Sequence, residues 1–122
     1  MYVLLDRFAE DAADTDTADG RPATKDSAHA RLARMLCGDA ETITRTATHT
    51  LAKRLSLIQQ QAIDRAARRF TFETLILTGA GEFLAREVFA GFPGPVISLA
   101  ERLGPARSAA ACAVAVADLL ED

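Results

Sequence analysis

From residue 39 to residue 69 the chain runs without a glycine or a proline, and this uninterrupted stretch constrains the fold more than any other feature. Ile43, Ala47, Leu51, Leu55, Ile58, Ala62 and Ala66 recur along it every three or four residues. At the helical period they fall within a sector of roughly 140°, which predicts one long amphipathic helix buried along that stripe. At 1.5 Å per residue it would reach on the order of 45 Å, more than a compact domain of this size needs. Its far end therefore calls for a cover.

The segments on either side are shorter. A helix over residues 25–37 carries Ala28, Leu32, Met35 and Leu36 on one face, with Thr24 or Asp26 to cap it and Gly38 to supply a left-handed stop. Before it, residues 14–24 are rich in Asp, Thr, Gly and Pro, whose side chains satisfy local backbone and break both periods, so they read as a loop with little apolar surface to bury. The opening MYVLLDRFAEDAA starts on an apolar run with no cap or turn ahead, as if inside an element. The second half reads as strand (73–78), helix (82–89), a GFPGP loop, strand (96–99), a loop around Gly104-Pro105, and a helix from 107 to 120 that is apolar nearly all round and expected to be buried. The fold class is α/β. The chain reads as a single partial domain: an N-terminal segment with the acidic loop (1–24), a helical portion (25–70) and a strand–helix–strand–helix unit (71–122). Two parallel strands form a marginal sheet with unpaired edges, which predicts a partner, either a second copy or a missing lobe.

With 122 residues, 49% of them hydrophobic, the chain can bury a core. A net charge of −3, with no basic cluster interleaved with aromatics, argues against a nucleic-acid partner. Cys37 and Cys112 are not at ligand spacing and no basic, apolar leader opens the chain, which predicts a cytoplasmic protein with reduced thiols. The longest apolar run, residues 109–117, is too short for a membrane span.

The chemistry concentrates in LILTGAGEFLA. An apolar run stops at Thr78, Gly79 and Gly81 flank Ala80, and a helix opens at Glu82, the order strand, turn, helix. Such a turn aims unpaired N–H groups outward, which suits a phosphate or other anion, or it simply turns the chain. The motif lacks the third glycine of a dinucleotide fingerprint and the Lys-Ser/Thr of a P-loop. Asp14, Asp16 and Asp19 form D-x-D-x-x-D, a solvated acidic loop or a set of oxygen ligands, but the spacing is not that of an EF-hand. His29 and His49 read as packing or surface residues, Cys37 as a small hydrophobe, and Arg65, Arg68 and Arg69 as a basic helix end that complements the macrodipole. Ser98 and Ser108 have no base at recognisable spacing, so no catalytic residue and no metal site is assigned.

Several segments, in order, resemble one family: TADGRPAT, ARLARML, the long helix with QQQAIDRAARR, LILTGAGEFLA, SLAERLG and SAAACAVAVADLL. Together they resemble the C-terminal part of a hydantoinase/oxoprolinase-related family linked to tetrahydromethanopterin-dependent C1 transfer. The resemblance implies part of a longer, actin-like (ribonuclease H-like) ATPase whose archaeal relatives help to build methanofuran. It implies ATP and Mg²⁺ as cofactors, Thr78, Gly79, Ala80, Gly81 and Glu82 as nucleotide contacts, and a substrate-facing role for Asp19 and Arg21. The family's N-terminal phosphate-binding lobe has no counterpart here. Phosphoryl transfer depends on positioning and on a metal that neutralises developing charge, so the isolated chain is expected to be inactive. A non-enzymatic helical association module is the alternative.

Overall fold

The computed structural model describes residues 1–120. They form a mixed α/β arrangement of six helices and one two-stranded parallel sheet. The chain divides into two compact units, residues 1–58 and the residues from Gln59 onward, with the boundary inside the second helix.

In the first unit, α1 (Lys25–Met35) starts where Thr24 caps it, the Thr24 Oγ1 accepting the Ser27 N–H at 3.3 Å. Its end differs from expectation. Cys37, at φ 57°, takes the left-handed position assigned to Gly38. Gly38 is small for another reason, since a Cβ there would lie 2.5 Å from Ile43 Cγ1.

The long helix also starts later than its composition suggests. Asp39 Oδ1 accepts the N–H and the hydroxyl of Thr42 at 2.8 and 2.6 Å, which holds residues 39–42 in a turn. Thr44 Oγ1 then accepts the Ala47 N–H at 3.2 Å, and α2 (Arg45–Ala67) begins behind that cap, reaching on the order of 35 Å. The packed face of α2 is rotated by one residue from the expected stripe. Thr48 and Ala52 are buried, whereas Ala47 and Ile58 are exposed and Leu51 is half-buried. The reason is polar: His29 Nδ1 lies 2.8 Å from Thr48 Oγ1, so the threonine turns inward toward α1. Ala28, Leu32 and Ala33 complete this core.

In the second unit, β1 (Leu75–Leu77) and β2 (Val96–Ser98) are parallel, Leu75 opposite Val96 and Leu77 opposite Ser98, each shorter than the sequence suggests. Helix α3 (Glu82–Val88) makes the crossover and buries Leu84. Where one loop and one helix were expected, the chain forms α4 (Leu99–Leu103), capped by Ser98, then α5 (Pro105–Ala109) and α6 (Ala111–Leu120). Gly104 makes the break at φ 86°, a conformation that glycine adopts without a Cβ penalty, and Pro105 suits the first position of the next helix. The expectation for the terminal helix is overturned: α6 has no buried residue, and Leu119 is 75% exposed. Ala111 and Val114 are half-buried, and the other residues of α6 are exposed. None of the described helices is long and apolar enough to cross a membrane.

Candidate functional site

The glycine turn sits at the carboxyl end of β1. Gly79 has φ 82°, the left-handed region, so the reversal after the strand depends on this glycine. Gly81 is different: its φ is −87°, and a Cβ there would meet nothing within 4 Å. Ser108 on α5 holds the turn in place. Its Oγ accepts the Gly79 N–H at 3.0 Å, and its carbonyl accepts the Thr78 hydroxyl at 2.8 Å. The Gly79 N–H is thus occupied, a correction to the view of the turn as a row of unpaired donors. The Ala80 and Gly81 N–H groups make no hydrogen bond among the described residues, and both residues are exposed. They are the donors the turn offers outward.

Glu82 opens α3 and is buried. Arg86, one turn on, donates to Glu82 Oε1 from Nε at 3.3 Å and from Nη2 at 3.0 Å, and Nη2 also reaches Glu101 Oε1 at 2.5 Å. Burial pushes the Glu82 carboxyl up. The Ser98 hydroxyl, the Arg86 guanidinium and the Ala100 N–H pull it further down, so the group stays ionised below its usual range. Glu82 Oε2 makes no hydrogen bond among the described residues. Ser98 does two things here, because its Oγ also accepts the Glu101 N–H at 3.0 Å as the cap of α4.

In the first unit, Asp19 lies between two guanidiniums, 2.7 Å from Arg31 Nη1 and 2.9 Å from Arg34 Nη2. The hydrogen bond from Arg31, helped by the Arg21 N–H and by Arg34, holds its carboxyl at about 2. Both Asp19 oxygens therefore face arginines of the same unit. Arg21 is exposed, and with Arg34, Asp39 and Glu41 it lines a small open cleft of about 280 Å³. Asp14 and Asp16 do not gather with Asp19. Asp14 Oδ1 accepts the Asp16 N–H at 2.9 Å, a local turn, and no described group of three His, Cys, Asp or Glu residues could hold a metal.

His29 is buried, its Nε2 3.2 Å from the Ala40 carbonyl, which can only accept. Thr48 Oγ1 lies between His29 Nδ1, at 2.8 Å, and the Arg45 carbonyl, to which its hydroxyl donates at 3.0 Å. Cys37 and Cys112 are exposed free thiols. Sequence reasoning missed the roles of Ser108 and Arg86. It also missed a phenylalanine cluster in the second unit, whose signal was the doublets Phe70/Phe72 and Phe89/Phe92 on the two sides of the crossover.

No family model matches the chain. Across 99% of its length it is 30% identical to the (4-{4-[2-(gamma-L-glutamylamino)ethyl]phenoxymethyl}furan-2-yl)methanamine synthase of Methanocaldococcus jannaschii, of which it spans 37%. Across its whole length it is 25% identical to the protein of the same name from Methanococcus vannielii, of which it spans 59%. The similarity links the chain, distantly, to enzymes that make a furan amine. The chain spans less than two-thirds of either relative.

Proposed function

We propose that this chain serves the assembly of a furan-amine C1 carrier of the methanofuran type, as the nucleotide-side portion of a longer, actin-type ATP-binding polypeptide of the hydantoinase/oxoprolinase-related class. The observation that carries the reading is the 30% identity that extends over 99% of the chain to a furan-methanamine synthase. The nucleotide part rests on the turn from Thr78 to Glu82, whose exposed Ala80 and Gly81 N–H groups suit an anionic oxygen. A nucleotide fits such donors. Magnesium does not fit the same turn, because Glu82 is buried and its Oε1 is engaged by Arg86, and no step is assigned to the metal here.

Two experiments test the two halves. Deleting the gene in its source organism should remove the furan amine from cell extracts, read by mass spectrometry; an unchanged level would sink the biosynthetic reading. Titrating the chain with ATP or ADP should move the amide resonances of Ala80 and Gly81 most. The affinity should be about millimolar, since few contacts offset the ordering of a ligand, and hydrolysis should be undetectable. Shifts confined to other residues would remove the nucleotide from this turn. The second reading, a helical association module, is favoured by the exposure of α6 and of Ile58. It predicts self-association that is indifferent to nucleotide.

A further inference from the structure

The second unit contains an open cavity of about 430 Å³ walled by Phe72, Phe89 and Phe92, with Phe70 at its mouth and Asp64 and Arg68 on its rim. Phe72 meets Phe89 edge to face, ring centroids 6.2 Å apart at 86°, and Phe92 at 5.4 Å and 32°. Two backbone constraints fix the far wall. The Phe92 N–H donates to the Phe89 carbonyl at 2.9 Å, closing a tight turn. Gly94 packs beneath the Phe92 ring, where a Cβ would come within 2.8 Å of Cε1 and collide with the Glu73 carbonyl. On the rim, Arg68 Nε lies 2.7 Å from Asp64 Oδ2, one turn apart at the end of α2. The mouth is left open, with Phe70 73% exposed.

This arrangement couples an open apolar slot lined by phenylalanines to an exposed pair of opposite charges. The slot suits one aromatic ring, which phenylalanines grip through edge and offset contacts. The pair suits an α-amino acid head, Arg68 taking the carboxylate through its planar fork and Asp64 the ammonium. Because an exposed pair such as Arg68–Asp64 contributes little by itself, exchanging its internal bond for bonds to a zwitterion is not opposed. The product named for the two relatives contains a phenoxy ring joined by an aminoethyl link to a γ-glutamyl group, an aromatic ring and an amino acid head in one molecule.

We propose that the cavity of Phe72, Phe89 and Phe92 is the subsite for the phenol ring of a γ-glutamylated aminoethylphenol, with Arg68 and Asp64 holding its glutamyl head. This rests on the biosynthetic reading above, and it locates the aryl half of the molecule away from the glycine turn.

The test uses the whole chain and three probes: γ-glutamyl-tyramine, tyramine and free glutamate. The first should shift the amides of Phe72, Phe89 and Phe92 and give contacts from its ring protons to their rings. Tyramine should bind the same residues about fivefold more weakly, and glutamate should leave the phenylalanines unmoved. Arg68→Gln should weaken γ-glutamyl-tyramine about fivefold and tyramine hardly at all, while Phe92→Ala should weaken both about tenfold. Since Phe92→Ala could disturb the fold, Phe70→Ala at the exposed mouth provides the second aromatic variant, and it too should weaken both probes. Absence of phenylalanine shifts with saturating γ-glutamyl-tyramine, or equal loss of both probes in Arg68→Gln, would overturn the subsite. If the gene deletion nonetheless abolished the furan amine, the subsite alone would fall and the biosynthetic reading would stand.

Discussion

The loop through Asp19 and the terminal helix α6 are opposites in chemistry and in anchorage. The loop is almost wholly polar, yet Asp19 is only 15% exposed at its side chain, clasped by Arg31 and Arg34, and the strand-like bridge between Asp11 and Ala23 closes its base. Helix α6 is almost wholly apolar, yet none of its residues is buried. Order in the first region comes from donors and acceptors that meet one another. Apolar area stabilises only where a second surface takes it out of water, and α6 stays exposed from residue 115 to residue 120. Composition names the currency of an interaction; only the tertiary partner decides whether it is used.

The largest expected effect sets a buried leucine against an exposed one. Leu32 on α1 is in the first unit's core, and Leu32→Ala should cost about 2–4 kcal/mol through lost transfer energy and a residual cavity. Leu119→Ala on α6 should stay within about 0.5 kcal/mol. Urea denaturation of both variants measures the contrast. Comparable losses would mean that α6 is covered in solution and that the comparison fails.

The two glycines of the turn come next. Gly79→Ala forces a side chain into the left-handed region and should cost about 1–2 kcal/mol. Gly81→Ala meets open space at an ordinary φ and should be neutral, or stabilising by about 0.5 kcal/mol through the unfolded chain. Thermal unfolding of the pair would sharpen the division of roles: Gly79 turns the chain, and Gly81 leaves the exposed face open. If Gly81→Ala proved the more damaging, the turn would have a different geometry from the one described.

Much of this was legible in the sequence, and the failures share a cause. The Thr24 cap, the parallel strands and the strand–turn–helix order at Gly79 depend on neighbours within a few residues, and periodicity and turn chemistry report such neighbours well. The phase of α2 was missed because Thr48, a polar residue one position beyond the expected stripe, is drawn inward by His29, nineteen positions earlier. The late start of α2 was missed because the Asp39–Thr42 turn competes locally with the helix. Ser108 was invisible as an anchor because its partners lie 29 and 30 residues away, and the phenylalanine cavity required the crossover to bring two doublets together.

A smaller effect concerns Asp19 and acid. Its carboxyl sits at about 2 in the folded chain against an ordinary 3.8, so the ionised form is favoured by folding. That stabilisation is fully present above about pH 4 and is lost as the pH falls from there through about 2. Asp19→Asn removes it at every pH. The difference in stability between the native protein and this variant should therefore be constant at neutral pH and shrink across that acid window. A difference independent of pH down to 2 would show that the arginines do not hold the carboxylate, and the anchored half of the comparison would weaken.

The smallest expected effect lies on α6, and it carries the most information about partners. Leu119→Lys places a charge where the side chain is already in water, so a monomeric chain should keep its unfolding free energy within about 0.5 kcal/mol. If a second copy covered the helix, the native protein would melt at a temperature that rises with its concentration, because association favours the folded state by mass action. Leu119→Lys would then abolish that dependence and shift the scattering mass to that of one chain, at unchanged stability in the dilute limit. Should the melting temperature be independent of concentration in both proteins, self-association through α6 is excluded. A variant that loses stability at every concentration would instead place a surface of the same chain over Leu119, and α6 would become as anchored as the loop it is set against.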